Sequence, residues 1–229
     1  MEKDELGAYL ATHYPIAEHR LNLPHGKMDI AIVNEPDDLL EKLSREDAEG
    51  RLILPYWSYL WPASIGLAEH LSALDGLDDQ AALEMGCGLG VAGIAACQLG
   101  ARLLFIDYER DALLFSAYNA LQNGIAACAA FLQMDWNYPC LNRQFPLILG
   151  ADVIFEEMNW HPILIFLRRY LTATGEAIFS EPNRTNTPAF LNLATQYGFT
   201  YESSSVTVSH ENSAVPVAIY HMRRGSKAL

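Results

Sequence analysis

From residue 54 onward, apolar positions fall into short runs separated by longer mixed stretches. Ala81 to Leu83, Ala101 to Asp107, Ala126 to Leu132, Pro146 to Asp152 and Gly175 to Ser180 are apolar runs of strand length, nearly continuous as in strands covered on both faces. Between and after them, Val91 to Leu99, Asp111 to Leu121, Ile163 to Leu171 and Pro188 to Tyr197 have helical length, three of them closed by Gly100, Asn123-Gly124 and Gly198. Strand and helix alternating over most of this stretch predict an α/β domain built on a parallel sheet. Tyr201 to His210 and Val215 to Met222, joined by a polar turn beginning Glu211-Asn212-Ser213, read as a terminal pair of strands.

The first fifth of the chain is less regular. Residues 4 to 21 read as one helix carrying Leu6, Leu10 and Ile16, kinked at Pro15. Met28 to Val33 reads as a short strand and Asp37 to Leu43 as a capped helical turn. We expect residues 1–50 to cover one edge of the main sheet, or to form part of a substrate-facing lid, on a single domain spanning 1–229. Arg51 to Leu71 brings Tyr56, Trp57, Tyr59 and Trp61 together ahead of Pro62, which suits the first turn of a helix. On the residues alone, those aromatics pin that helix to the sheet.

Chemistry enters at Glu84-Met85-Gly86-Cys87-Gly88-Leu89-Gly90, between the first apolar run and a small-residue helix. Three glycines in five residues permit positive φ and a close backbone approach to a ligand, and the following helix directs its free N–H groups at the same place. The spacing is GxGxG, because Val91 stands where a dinucleotide fingerprint has its third glycine. Asp107 ends the second run at the distance of a ribose-binding carboxylate; Asp135 follows the third run and Asp152 ends the fourth. Trp136 can stack on an adenine whose amino group Asp135 accepts. Acids at successive strand ends, opening on one glycine loop, suit a ligand bearing a ribose, an adenine and an ammonium group. Glu84 is either a core acid satisfied by backbone N–H groups or a partner for that ammonium.

With these motifs in register, together with Leu149-Gly150-Ala151-Asp152-Val153-Ile154-Phe155, the chain resembles the S-adenosylmethionine-dependent seven-strand methyltransferases over roughly Leu54 to Arg184. More narrowly, it is similar to the protein-lysine branch that includes the enzyme for the electron-transfer-flavoprotein β subunit. The resemblance implies a Rossmann-like, seven-stranded, mostly parallel sheet with helices on both faces and a C-terminal antiparallel hairpin. It implies S-adenosyl-L-methionine as methyl donor, with Trp61, Glu84, Gly86, Cys87, Gly88, Gly90, Asp107, Tyr108, Asp135, Trp136 and Ala151 around it. Asp152 and Phe155 fall to the acceptor side, with Asp152 orienting an amine. That branch carries Asp-x-x-Tyr after its fourth strand, and here Phe155 takes the tyrosine position, an apolar wall without a hydroxyl. Trp57 is placed at the mouth of the pocket.

Composition narrows the partners. The 229 residues carry a net charge of −13, not the basic footprint that phosphate binding needs, so nucleic acid is not an expected partner. The acidity serves solubility, or an acidic face that attracts a lysine-rich partner. Four cysteines lack CxxC spacing and no histidine joins a cysteine at zinc spacing, so no metal is expected. The start, Met1-Glu2-Lys3-Asp4-Glu5, is acidic where a leader is basic, and no apolar run approaches the roughly 20 residues of a membrane span. The expectation is a cytoplasmic N-methyltransferase acting on a lysine-bearing protein, with a small-molecule acceptor as the second enzyme reading. A non-catalytic domain that binds the donor or a partner is the third, motivated by Phe155; a nicotinamide enzyme is disfavoured by GxGxG and Asp135-Trp136.

Overall fold

The apolar runs assemble into one seven-stranded sheet. This computed structural model describes residues 2–24, 26–47 and 54–225. Along the chain it forms α1 (Lys3–His13), β1 (Ile16–Leu23), β2 (Gly26–Val33), α2 (Pro36–Glu46), α3 (Pro62–Leu71), β3 (Ala81–Met85), α4 (Val91–Gln98), β4 (Arg102–Asp107) and α5 (Arg110–Gln122). Next come β5 (Ala129–Gln133), β6 (Phe145–Ala151), α6 (Trp160–Tyr170), β7 (Leu171–Glu181), α7 (Thr187–Gln196), β8 (Phe199–His210) and β9 (Ser213–Arg224). The first five strands of the large sheet are parallel, and β9 runs antiparallel to both β7 and β8. From β3 the chain steps outward through β4 and β5, then returns to β6 on the other side of β3. That reversal opens a crevice beyond the carboxyl ends of β3 and β6.

Successive strand residues feed opposite faces. Leu147 and Leu149 join a core with Ala63, Leu67, Ile94 and Phe115, whereas Ile148 joins Leu164, Phe166, Phe179 and Phe190. Small residues let helices lie close on the first face. A Cβ on Gly93 of α4 would overlap Leu103 and Phe105, and one on Gly66 of α3 would stand 2.7 Å from Val217.

The N-terminal region departs from expectation. In place of one kinked helix over residues 4 to 21, α1 stops at His13, and from Ile16 the chain pairs with β2 through all eight positions of an antiparallel hairpin. Pro15 cannot donate to a helix, and Leu6 and Leu10 already supply the buried stripe a short helix needs. The hairpin covers the core by way of a helix. Both α1 and β2 rest on α5, and Leu6, Leu10, Met28 and Ile30 share the core of α3, α4 and α5. The expected capped turn at Asp37 to Leu43 is the longer α2, started by Pro36 and a left-handed Glu35 (φ 54°) without a side-chain cap. Positions 48–53, which contain the expected end of the extension and the lead-in to the aromatic run, lie outside the described residues.

Candidate active site

The turn between β3 and α4 takes positive φ at Gly86 (60°), Gly88 (50°) and Gly90 (80°), a geometry that glycine adopts without strain. A side chain at Gly86 would strike Val153 at 2.9 Å and one at Gly90 would strike Ser116 at 2.8 Å. At Gly88, which is partly exposed, a side chain would make only ordinary contact, with the Trp57 backbone at 3.7 Å. The loop is therefore pinned at both ends and accessible at its middle. Cys87 is buried among it, its thiol pushed well up by burial and then by Asp107 and Glu84.

Glu84 points behind this loop. Its Oε2 accepts from the Gly93 N–H at 3.1 Å, holding one of the free amides in the first turn of α4. Burial pushes its carboxyl up to about 8, against the Gly93 hydrogen bond, with Asp107 adding to the rise. Of the two sequence readings, this arrangement is the core acid satisfied by backbone.

Asp107 faces the loop itself. One oxygen accepts from Gly88 N–H and the other from Glu109 N–H, both at 3.0 Å. Burial raises its pKa, and the backbone hydrogen bonds from Glu109 and Gly88 oppose the rise. Tyr108, next to it, is partly exposed, with its backbone carbonyl accepting from Gln133. At the neighbouring strand end, Asp135 accepts from Asn137 N–H and Nδ2. Trp136 lies against Gly86, its buried indole N–H without a partner among the described residues.

Ala151 closes β6, and Asp152 turns the chain away from it with φ 53°, unusual for a side-chain-bearing residue and a conformation that clusters at functional sites. Its N–H donates to Ser180 in β7. Its carboxylate is taken by Arg184, Nε to Oδ1 at 2.9 Å and Nη2 to Oδ2 at 2.6 Å, a two-pronged pair. The same guanidinium stands 5.4 Å from the centre of the Phe155 ring. Phe155 meets Tyr56 edge-on at 5.1 Å, and Asn186 donates to its carbonyl. Tyr56 in turn accepts the Trp61 indole N–H at its carbonyl, at 2.7 Å.

Trp61, Tyr56, Phe155, Arg184 and Asp152 thus form one chain of contacts, and Asp107, Gly88, Gly86 and Trp136 gather at the glycine loop. Trp57 is different: its ring packs on Phe115 and Tyr14, in the pinning role, while its backbone backs Gly88. It also lines a cavity of about 240 Å³ with Tyr14, Leu39, Leu43, Pro55, Glu109 and Asp111. Arg184 was visible in sequence only as the end of Glu181-Pro182-Asn183-Arg184. Its pairing follows from β6 and β7 being neighbours, and buried Glu181 fixes its backbone by accepting Arg184 N–H and Tyr220 O–H.

These features define a doubly wound α/β protein with a left-handed glycine turn and acids at the carboxyl ends of its strands. The chain belongs to the lysine methyltransferase family, whose model matches residues 57–196, close to the span over which the sequence showed its resemblance. It is 25% identical over 154 residues to the histone-arginine methyltransferase METTL23 of Xenopus laevis, covering 62% of this chain and 66% of that one. Over 96 residues it is 48% identical to the ribosomal protein L11 methyltransferase of Haemophilus influenzae strain PittEE, covering 41% of this chain and 30% of the other. The chain thus spans less than two thirds of either relative. In fold it is similar to the glycopeptide N-methyltransferase MtfA, solved with S-adenosyl-L-methionine, at a TM-score of 0.59 and 10% identity over 71% of this chain and 94% of that one.

Proposed function

We propose that this protein transfers a methyl group from S-adenosylmethionine to nitrogen, and that the acceptor is the side-chain amine of a protein lysine. The observation that carries this reading is Asp107 bound onto Gly88 of the left-handed glycine turn, within the segment that the lysine methyltransferase model matches. The residues fit such a donor. Gly88 is partly exposed, the Trp136 indole N–H has no partner among the described residues, and the Asp107 carboxylate keeps acceptor capacity for a ribose hydroxyl beyond its backbone hydrogen bonds. Asp135 and Trp136 suit the adenine; Gly86, Cys87, Gly90, Tyr108, Ala151 and Trp61 complete the proposed contacts, with Glu84 acting through the start of α4.

Bound there, S-adenosylmethionine supplies a methyl group already activated by its sulfonium. The chain's own task is alignment and exclusion of water. A lysine amine has an ordinary pKa near 10.4 and attacks only when neutral. Tyr56, Trp61 and Phe155 supply an apolar wall that favours the neutral form. Asp152 is the positioning residue, since a carboxylate that accepts from the amine also stabilises the ammonium. No helix among the described residues is long and apolar enough to cross a membrane. The four free thiols support a cytoplasmic setting.

The test is transfer of radiolabelled methyl groups to a cell extract. We expect label in protein that hydrolyses to methyl-lysine, and a fall on the order of 100-fold for Asp152→Asn with donor affinity unchanged. Label confined to the acid-soluble fraction would instead establish a small-molecule acceptor.

A further inference from the structure

The residue that would receive the acceptor is already engaged. The Asp152 side chain is 6% exposed and both its oxygens are held by Arg184. The Arg184 side chain is 34% exposed, so the cation has a route to water that the carboxylate lacks. The guanidinium also takes the face of Phe155, the aromatic surface on which a substrate cation would settle. Its backbone does not need to move for it to leave, because the Arg184 N–H is anchored separately on Glu181.

We propose that Arg184 is a specificity-determining residue of the acceptor subsite: an internal cation that occupies Asp152 and Phe155 and so excludes free cationic amines. This rests on the assignment of Asp152 to the acceptor. A lysine approaching from solvent as an ammonium meets a neutralised carboxylate and a like charge, which opposes its entry in the charged form. An acceptor gains the subsite only when the rest of its docking compensates for displacing Arg184, or when its amine arrives neutral beside the pair. Selectivity for a lysine within a docked protein surface, against the free amines of the cell, follows from the same pair. Removing the arginine leaves a nearly buried carboxylate without a counter-charge, a state that an incoming ammonium relieves.

The test is equilibrium binding, read by NMR titration of Nα-acetyl-lysine N-methylamide into protein loaded with S-adenosylhomocysteine. Arg184→Gln should bind this probe at least fivefold more tightly than the wild type. The gain should vanish in the Arg184→Gln, Asp152→Asn double variant and be absent for the uncharged norleucine analogue. Arg184→Lys, which keeps a cation on Asp152, should bind like the wild type. Equal or weaker binding by Arg184→Gln overturns the proposal, as does a gain shared by the norleucine probe. Arg184→Met keeps the apolar stem beside Phe155 and provides the same comparison if the glutamine variant does not fold. Absence of S-adenosylhomocysteine binding in the wild type would refute the donor site instead, and the same titrations without it still compare free with occupied Asp152.

Discussion

Glu84 shows how far a single residue's role depends on where its neighbours fold. Its raised pKa has a consequence for stability. Between the unfolded carboxyl value near 4.3 and the folded value of about 8, the native state holds a proton that the unfolded chain has lost. Glu84 therefore contributes its full stability below about pH 4.3 and loses it as pH rises to about 8. Glu84→Gln keeps an acceptor for Gly93 and cannot ionise. Its melting temperature should exceed that of the wild type at pH 8, and the difference should shrink steadily as pH falls to about 4. An equal difference at both pH values would contradict the assignment. The glycines and Asp107 were legible because their backbone demands and strand-end position are written locally. The partner of Asp152 was not: Arg184 lies 32 residues away, and only the pairing of β6 with β7 brings it back. Likewise, nothing local distinguishes Glu84 facing a ligand from Glu84 facing Gly93.

At the scale of elements, α4 ties the sheet to the loop, and its closeness depends on Gly93. Gly93→Ala should cost about 1–3 kcal/mol in denaturant unfolding, because Leu103, Phe105 and Glu84 all border the space its Cβ would fill. Donor affinity should fall with it, since the loop and the first turn of α4 move together. The strands β3, β4 and β6 were legible from apolar runs because burial on both faces of a parallel sheet leaves a plain signature. Residues 16 to 21 were misplaced because Ile-Ala-Glu-His-Arg-Leu has neither strong period, and its conformation is settled by pairing with β2. The helix α2 illustrates the opposite case: a capped helical turn was legible at Asp37 to Leu43, but Pro36 and a left-handed Glu35 rather than a side-chain cap set its entry.

For the whole molecule, the N-terminal hairpin and the glycine loop meet at one side chain. Fully buried Asn119 accepts from Ala31 N–H at 2.8 Å and donates to the carbonyls of Ala31 at 3.2 Å and Leu89 at 3.0 Å. Asn123 holds the backbone of Asp29 in the same way. We infer from these clamps and the shared core that α1 and the β1–β2 hairpin fold as one unit with the methyltransferase core. Asn119→Ala leaves buried backbone groups unpaired and should cost roughly 2–4 kcal/mol. Hydrogen exchange should report lost protection at the Ala31 amide; a variant that melts like the wild type with Ala31 still protected would separate the hairpin from the core. The assignment of the extension to α5 was not legible, because it rests on amides of α5 that meet β2 only after both have folded.

The donor site at the switch point is the claim on which the rest stands, and calorimetric titration addresses it directly. Titrated with S-adenosylmethionine and with S-adenosylhomocysteine, the wild type should bind both at micromolar affinity. Asp107→Asn, which retains one acceptor oxygen for the backbone, should weaken both by at least about tenfold while remaining folded, a loss of roughly 1.4 kcal/mol. Absence of binding to either compound, or equal binding by the folded Asp107 variant, would contradict the assignment of the glycine loop and Asp107 to a methyl donor.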